Sequence, residues 1–150
     1  MRPILVYIIF IAAVVVIGST IGLLNVPGDW YQSLQKPWFN PPNWVFGPAW
    51  TTLYVLIGIA GARTFIHARS SRRMTVWWAQ MVLNFLWSPA FFGLQNPALA
   101  LLVVLPLLAS ILLFIAISWR PDRLSALLFL PYALWVAFAT ALNTAIVLLN

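Results

Sequence analysis

The chain has no cysteine and no glutamate, and its 150 residues include only two aspartates and one histidine. These gaps exclude much chemistry before any fold is considered. Without thiols there is no disulfide, no thiolate metal site and no cysteine nucleophile, and the redox compartment leaves no trace in the sequence. Asp29, Asp122 and His67 lie far apart. They form no cluster for general acid–base work or for holding a metal ion, so neither a metal nor a cofactor is expected. His67 reads as a solvated helix-end residue. Charge is scarce as well: charged residues make up 7% of the chain against 63% hydrophobic, and mean hydropathy is +0.97. Such a chain is a membrane protein.

The net charge of +6 is not the mark of a nucleic-acid partner. Binding to phosphates needs basic residues gathered on one surface, and here they sit at the ends of apolar runs. A membrane-spanning helix needs about 20 mostly apolar residues, and five stretches qualify, at about 3–24, 44–66, 75–94, 97–119 and 124–149. Backbone groups in lipid must be satisfied within the protein, so five such runs predict an all-α bundle and not a barrel. The reading is one transmembrane domain over 1–150, with one long ordered loop, 25–43, between the first and second helices. No internal repeat is visible, which counts against inverted-repeat transporter folds. The first run is longer than the apolar core of a signal peptide, and no small-residue cleavage site closes it. Gly18, Ser19, Thr20 and Gly22 near its end would let another helix approach closely.

With five spans, Arg2, Arg63, Arg69, Arg72, Arg73, Arg120 and Arg123 share one side, and Lys36 alone lies on the other. Positive residues favour the cytoplasm, so the long loop and the C-terminus are expected outside. Asp122 is the expected N-cap of the last helix, where a carboxylate also suits the positive helix start. No span carries a charged residue away from its ends, which disfavours ion-coupled transport.

What is abundant is aromatic surface. Nine tryptophans occur, and residues 36–54, KPWFNPPNWVFGPAWTTLY, hold four prolines, three tryptophans, two phenylalanines and a tyrosine. Pro37, Pro41 and Pro42 describe a stiff approach to a helix. Beyond it Phe46, Trp50 and Tyr54 recur every four residues and form one aromatic stripe, readable as an interfacial belt or as a ligand wall. In the third run Asn84, Trp87 and Phe91 share a face. An amide in an apolar helix must find a partner, so Asn84 points to a neighbouring helix or to a ligand. In the fifth, Trp135, Ala139 and Asn143 share a face that suits either a pocket wall or core packing. The fourth run, with Pro106 at its middle, reads as scaffold or as a lipid- and subunit-facing surface.

Three facing stripes favour the ligand-wall reading: residues 36–43 as a lid with Trp38 as its ligand contact, and Phe46, Trp50 and Tyr54 beneath it. Indole surfaces and apolar burial at about 25 cal/mol per Å² would bind a large flat molecule such as a tetrapyrrole or sterol without charge pairing. Asn84 and Asn143 would orient it. Val26, Tyr31 and Lys36 fit a loose cholesterol pattern, but they lie in the polar loop and the pattern is weak.

These residues resemble a known family. Lys36-Pro37-Trp38 with Asn40-Pro41-Pro42, the run from Phe46 to Tyr54, QMVLNFLWSPAFF from Gln80 to Phe92 and PYALWVAFATALN from Pro131 to Asn143 are similar to the translocator proteins. That family is also called tryptophan-rich sensory proteins or peripheral-type benzodiazepine receptors. The resemblance implies a five-helix bundle, often a homodimer, that binds porphyrins and synthetic isoquinoline and benzodiazepine-type drugs in a cavity under the first loop. It implies ligand contacts at Trp38, Phe46, Trp50, Asn84, Trp87, Phe91, Trp135 and Ala139. Some bacterial members are linked to light-dependent porphyrin breakdown, for which Trp50 and Trp135 would be the matching indoles. The fifth run has no Lys or Arg after Tyr132, so the C-terminal cholesterol motif of the animal members is absent. The expected function is a membrane receptor or sensor for porphyrins, with a porphyrin-degrading enzyme and a lipophile facilitator as alternatives. The short tails point to a bacterial inner membrane.

Overall fold

Pro3 opens the first helix, where its missing N–H costs nothing, and an uncharged run carries α1 through Pro3–Leu24. It stops at Asn25, whose backbone N–H bonds to Gly22 O at 3.2 Å and whose side chain donates to Ile21 O at 2.8 Å. The computed structural model describes residues 2–150 and, among them, every regular element is helical. A short helix, α2 (Asp29–Ser33), and a single 3₁₀ turn, Asn43–Val45, precede α3 (Phe46–Ala68). Ser71 caps α4 (Arg72–Ser88), accepting from Met74 N at 3.4 Å. At Pro89 the helix loses a donor and widens into one π turn, Pro89–Gly93, before the chain reverses. Gln95, with φ 52°, makes that reversal in the left-handed region. Asn96 then caps α5 (Pro97–Ser118), and Asp122 caps α6 (Arg123–Leu149), as its position predicts.

In the bundle, α3 is the central member, packing on α1, α4 and α6, while α5 lies against α4 and α6. Close approach of α1 to α3 depends on Gly58, where a Cβ would stand 2.8 Å from Ile11 Cα. The contact between α1 and α4 is slight. Spaces therefore open on either side of α1, and both are described below.

Four stretches are long and apolar enough to cross a membrane: Pro3–Leu24, Asn43–Ala68, Pro97–Ser118 and Arg123–Leu149. The sequence count is five, and α4 is the difference. Its α-helical part has 17 residues, opens on Arg72 and Arg73, and includes Gln80 and Asn84. Those two amides are buried against other helices, so the polarity that lowers its hydropathy faces inward.

The connection expected as a long loop is partly helical and is bonded along its length. Tyr31 of α2 is 1% exposed, and its hydroxyl donates to Asn40 Oδ1 at 2.6 Å. Lys36 Nζ donates to Tyr31 O at 2.8 Å and to Leu34 O at 3.2 Å, closing the carbonyl end of α2. Gln35 and Asn150 exchange two hydrogen bonds, at 3.0 and 2.9 Å, which fasten the segment to the end of α6.

Candidate functional site

A cavity of about 410 Å³ lies between α1, the residues just after it, the start of α3 and the end of α4. One wall is the aromatic stripe of α3. Phe46, Trp50 and Tyr54 line it, and Trp50 stacks on Tyr54 with ring centres 5.6 Å apart and planes at 27°. Trp87 of α4 adds a further indole, with its ring centre 6.5 Å from that of Trp50. On the opposite wall α1 presents Gly18 and Gly22 one turn apart, beside Ser19 and Leu23. A Cβ on Gly18 would meet the Tyr54 ring at 2.5 Å, whereas one on Gly22 would meet nothing. The polar groups on the lining are small and neutral, among them Ser19, Asn25 and Thr51. Aromatic faces without charge offer stacking and burial, not proton transfer. Among the described residues no three His, Asp or Glu side chains stand together as a metal site would require.

Buried amides fix the helices around this cavity. Trp87 Nε1 donates to Asn143 Oδ1 at 3.1 Å, and Asn143 Nδ2 donates to Pro97 O at 2.8 Å, so one amide ties α4, α5 and α6. Asn84 donates to the Tyr132 hydroxyl at 2.7 Å, which in turn donates to Gln80 Oε1 at 2.7 Å. Of the two partners open to Asn84 from sequence, the structure gives the neighbouring helix.

The ten residues singled out from sequence divide into three groups. Phe46, Trp50, Tyr54 and Trp87 line the cavity together. Phe46 and Trp87 also join Phe91 and Asn143 around a second space of only about 10 Å³, no more than one water would need. That central space is small because Tyr31 is inserted there, with ring contacts of 6.1 Å to Phe91 and 5.4 Å to Phe92. Trp38, Asn84, Trp135 and Ala139 line neither. Trp38 is 95% exposed and rests edge-on against Phe39. Trp135 stands behind the aromatic wall, 6.0 Å from Phe46 and 6.3 Å from Trp50, and its indole nitrogen is buried without an acceptor. Ala139 is buried in helix packing.

The face of α6 thus backs the wall, and the empty side belongs to α1. Gly18 and Gly22 are the residues that sequence reading understated: their four-residue spacing signals a smooth helix face, and that face borders a cavity instead of touching a helix throughout. Tyr31 was legible only as part of an aromatic loop. Burial pushes its phenol up to about 12, with the Asn40 hydrogen bond opposing, so the ring enters the bundle as a neutral group.

The sequence profile of the TspO/MBR family matches residues 9–149. The tryptophan-rich protein TspO of Archaeoglobus fulgidus is 47% identical over 123 residues, covering 81% of this chain and 80% of the relative. Protein CrtK of Rhodobacter capsulatus is 39% identical over 148 residues, covering 96% and 92%. The human translocator protein is 34% identical over 136 residues, covering 85% and 80%. A helical membrane chain with this aromatic cavity, matched almost end to end by that profile, belongs to the TspO/MBR family.

Proposed function

We propose that this protein is a membrane receptor that binds a large, flat, apolar ligand of the porphyrin class in the cavity between α1 and the Phe46–Trp50–Tyr54 stripe. The observation that carries the reading is the pairing of a glycine wall with an aromatic wall around about 410 Å³. That volume lies in the range of about 300–1,000 Å³ usual for small-molecule sites. A planar ring system would enter beside Gly22, beyond the point where Gly18 packs on the Tyr54 ring, gaining apolar burial and stacking on Trp50 and Trp87. Neutral Asn25, Ser19 and Thr51 would orient polar substituents without demanding a counter-charge.

In the membrane we read α4 as the fifth span, its amides facing the bundle and its apolar side facing lipid. The arginine side is cytoplasmic, and α2 with residues 36–43 lies outside as a lid. We take the physiological unit to be a homodimer in a bacterial inner membrane, on the strength of the family resemblance.

Binding is preferred to light-driven porphyrin degradation because only one of the two matching indoles, Trp50, borders the cavity, while Trp135 is behind it. A facilitator would need a polar path through the bundle, and the central space is filled by Tyr31. The test is quenching of intrinsic tryptophan fluorescence by protoporphyrin in detergent. Wild type should bind saturably and Trp50→Phe more weakly, while Asn84→Ala should alter stability more than affinity. Equal affinity in wild type and Trp50→Phe would remove the pocket assignment.

A further inference from the structure

The cavity beside the aromatic stripe is open along its side. Trp44, Gly47 and Thr51 line it and are also exposed, and so are Gly22, Leu23 and Val26 across from them. The stretch from Trp44 to Thr51 runs about 10 Å along the helix axis at about 1.5 Å per residue. The opening is therefore a slot down the flank of the bundle between α1 and α3, not a hole at its top. Its lower end is shut where Gly18 packs on Tyr54, while above that point a Cβ on Gly22 or Gly47 would meet nothing within 4 Å.

The slot is edged for hydrocarbon. Leu23 is 77% exposed and Trp44 73%, with Val26 beside them, and a continuous apolar rim of this kind suits lipid better than water. The Thr51 hydroxyl is returned to its own helix, donating to Gly47 O at 2.9 Å, so it needs no partner from the bilayer. The 25–43 segment covers a different space. Among the described residues, none from 28 to 42 lines the cavity. Tyr31 sits instead in the small central space, and Lys36 and the Gln35–Asn150 pair hold that segment in place. A second groove, of about 130 Å³, runs between α1 and α4 past Phe10, Ala13, Trp77 and Trp78. It lies on the opposite face of α1, so a second copy of the chain seated there would leave the slot open.

We propose that the ligand reaches its cavity from the outer leaflet of the membrane, sideways through the slot between α1 and α3, with Leu23 and Trp44 as the two edges and residues 28–42 taking no part. The partner that this surface fits is bilayer hydrocarbon and the flat apolar molecules dissolved in it. An apolar ligand partitions into the bilayer first, and from there the slot offers it the aromatic wall without crossing water or displacing the bonded segment above. The route rests on the reading of this cavity as the ligand site; the exposure of the slot to lipid does not.

The experiment uses the full chain in nanodiscs of phosphatidylcholine, and the lack of native cysteine lets thiols be placed one or two at a time. A nitroxide on Thr51→Cys should be relaxed by dissolved oxygen more than by a water-soluble nickel chelate, and one on Ser33→Cys the reverse. A Thr51→Cys label dominated by the nickel chelate would mean that the slot opens to water, and overturns the proposal whatever the cavity binds. Association of protoporphyrin is then followed by stopped-flow tryptophan quenching. Bridging Leu23→Cys/Trp44→Cys with a reducible bis-maleimide should slow association at least about tenfold, and cleaving the bridge should restore the rate. Bridging Gln35→Cys/Asn150→Cys in the same way should change the rate by no more than about twofold. Mass spectrometry verifies each bridge and circular dichroism each fold, and Val26→Cys/Gly47→Cys replaces the first pair if it does not fold or bridge. An unchanged rate with the slot bridged, or a tenfold loss with only the Gln35–Asn150 bridge in place, overturns the route. Absence of saturable quenching in wild type removes the ligand reading beneath it, a failure told apart by the Thr51→Cys label, which still reports lipid.

Discussion

The indole nitrogen of Trp87 donates to the amide oxygen of Asn143 at 3.1 Å, across the boundary between α4 and α6. Because Trp87 also lines the cavity, this bond ties the cavity wall to the helix packing behind it. Asn143 is 0% exposed, and its nitrogen is used on Pro97 O. Asn143→Ala therefore leaves the buried Trp87 indole N–H without a partner and takes one donor from Pro97 O. The expected cost is about 1–3 kcal/mol of stability, the penalty for one buried polar group left unsatisfied. Thermal unfolding in detergent checks it. Affinity for protoporphyrin should fall only modestly, since the indole surface remains.

Gly18 and Gly22 make opposite predictions from the same wall. Gly18→Ala places a methyl 2.5 Å from the Tyr54 ring, so the ring must move and stability should drop by about 1–3 kcal/mol, as overpacked cores do. At Gly22 a Cβ meets nothing. Gly22→Phe should fold with near-normal stability and occupy the cavity, reducing ligand affinity at least about tenfold through lost burial of ligand surface. Comparison of melting temperature with binding for the two variants separates packing from cavity.

The ion pair on the arginine side should respond to acid. Arg63 Nη2 lies 2.9 Å from Asp122 Oδ1, and the Ser125 hydroxyl donates to Asp122 Oδ2 at 2.5 Å. Burial alone would raise the Asp122 carboxyl, but hydrogen bonds from Arg63 and Ser125 outweigh it and hold the group below its ordinary value. A carboxylate held lower in the folded state stabilises fully above its unfolded pKa of about 4, and this stability is lost as pH falls through the lowered value. Asp122→Asn should cost about 1–3 kcal/mol at neutral pH, given hydrogen bonds to a charged group, and should flatten the acid limb of the stability profile. Urea or thermal unfolding of both proteins from pH 7 down to 3 measures this.

The 25–43 segment should loosen in alkali. Burial raises the Tyr31 phenol from 10.0 to about 12, so its neutral form is the one favoured in the folded chain. That contribution is complete below the unfolded value and disappears as pH rises from about 10 to 12. Protection factors of the 25–43 amides, after correction for base-catalysed intrinsic exchange, should fall over that interval. Tyr31→Phe removes the titration and should be insensitive to it. Asn150→Ala, which breaks the two bonds to Gln35, should open the same segment without any pH dependence.

Much of this was legible in the sequence because helices in lipid leave a strong signal: apolar runs of fixed length, arginines at their ends, and Asp122 at a helix start. The stripe Phe46–Trp50–Tyr54 was legible for the same reason, since four-residue spacing fixes a common face. Which neighbour that face meets was not. Periodicity along α6 and along α1 looks alike to packing arguments, and only the three-dimensional arrangement shows that Trp135 and Ala139 stand behind the wall while Gly22 stands across the gap and Gly18 closes it against Tyr54. α4 illustrates a second limit. Gln80 and Asn84 lower its hydropathy, yet their partner Tyr132 is about fifty residues away in the chain, beyond the reach of any local pattern. Trp38, prominent in an aromatic motif, projects outward because its Pro-flanked turn holds it clear of the bundle.

The most direct test asks which face of the aromatic stripe the ligand occupies. Dissociation constants for protoporphyrin should be measured by tryptophan quenching for Gly22→Phe, which fills the gap beside α1, and for Ala139→Leu, on the α6 side behind the wall. Loss of at least about tenfold in affinity for Gly22→Phe, with Ala139→Leu close to wild type, is the predicted result. Unchanged affinity in a folded Gly22→Phe protein, together with loss in Ala139→Leu, would place the ligand among the α6 residues and contradict the cavity described here.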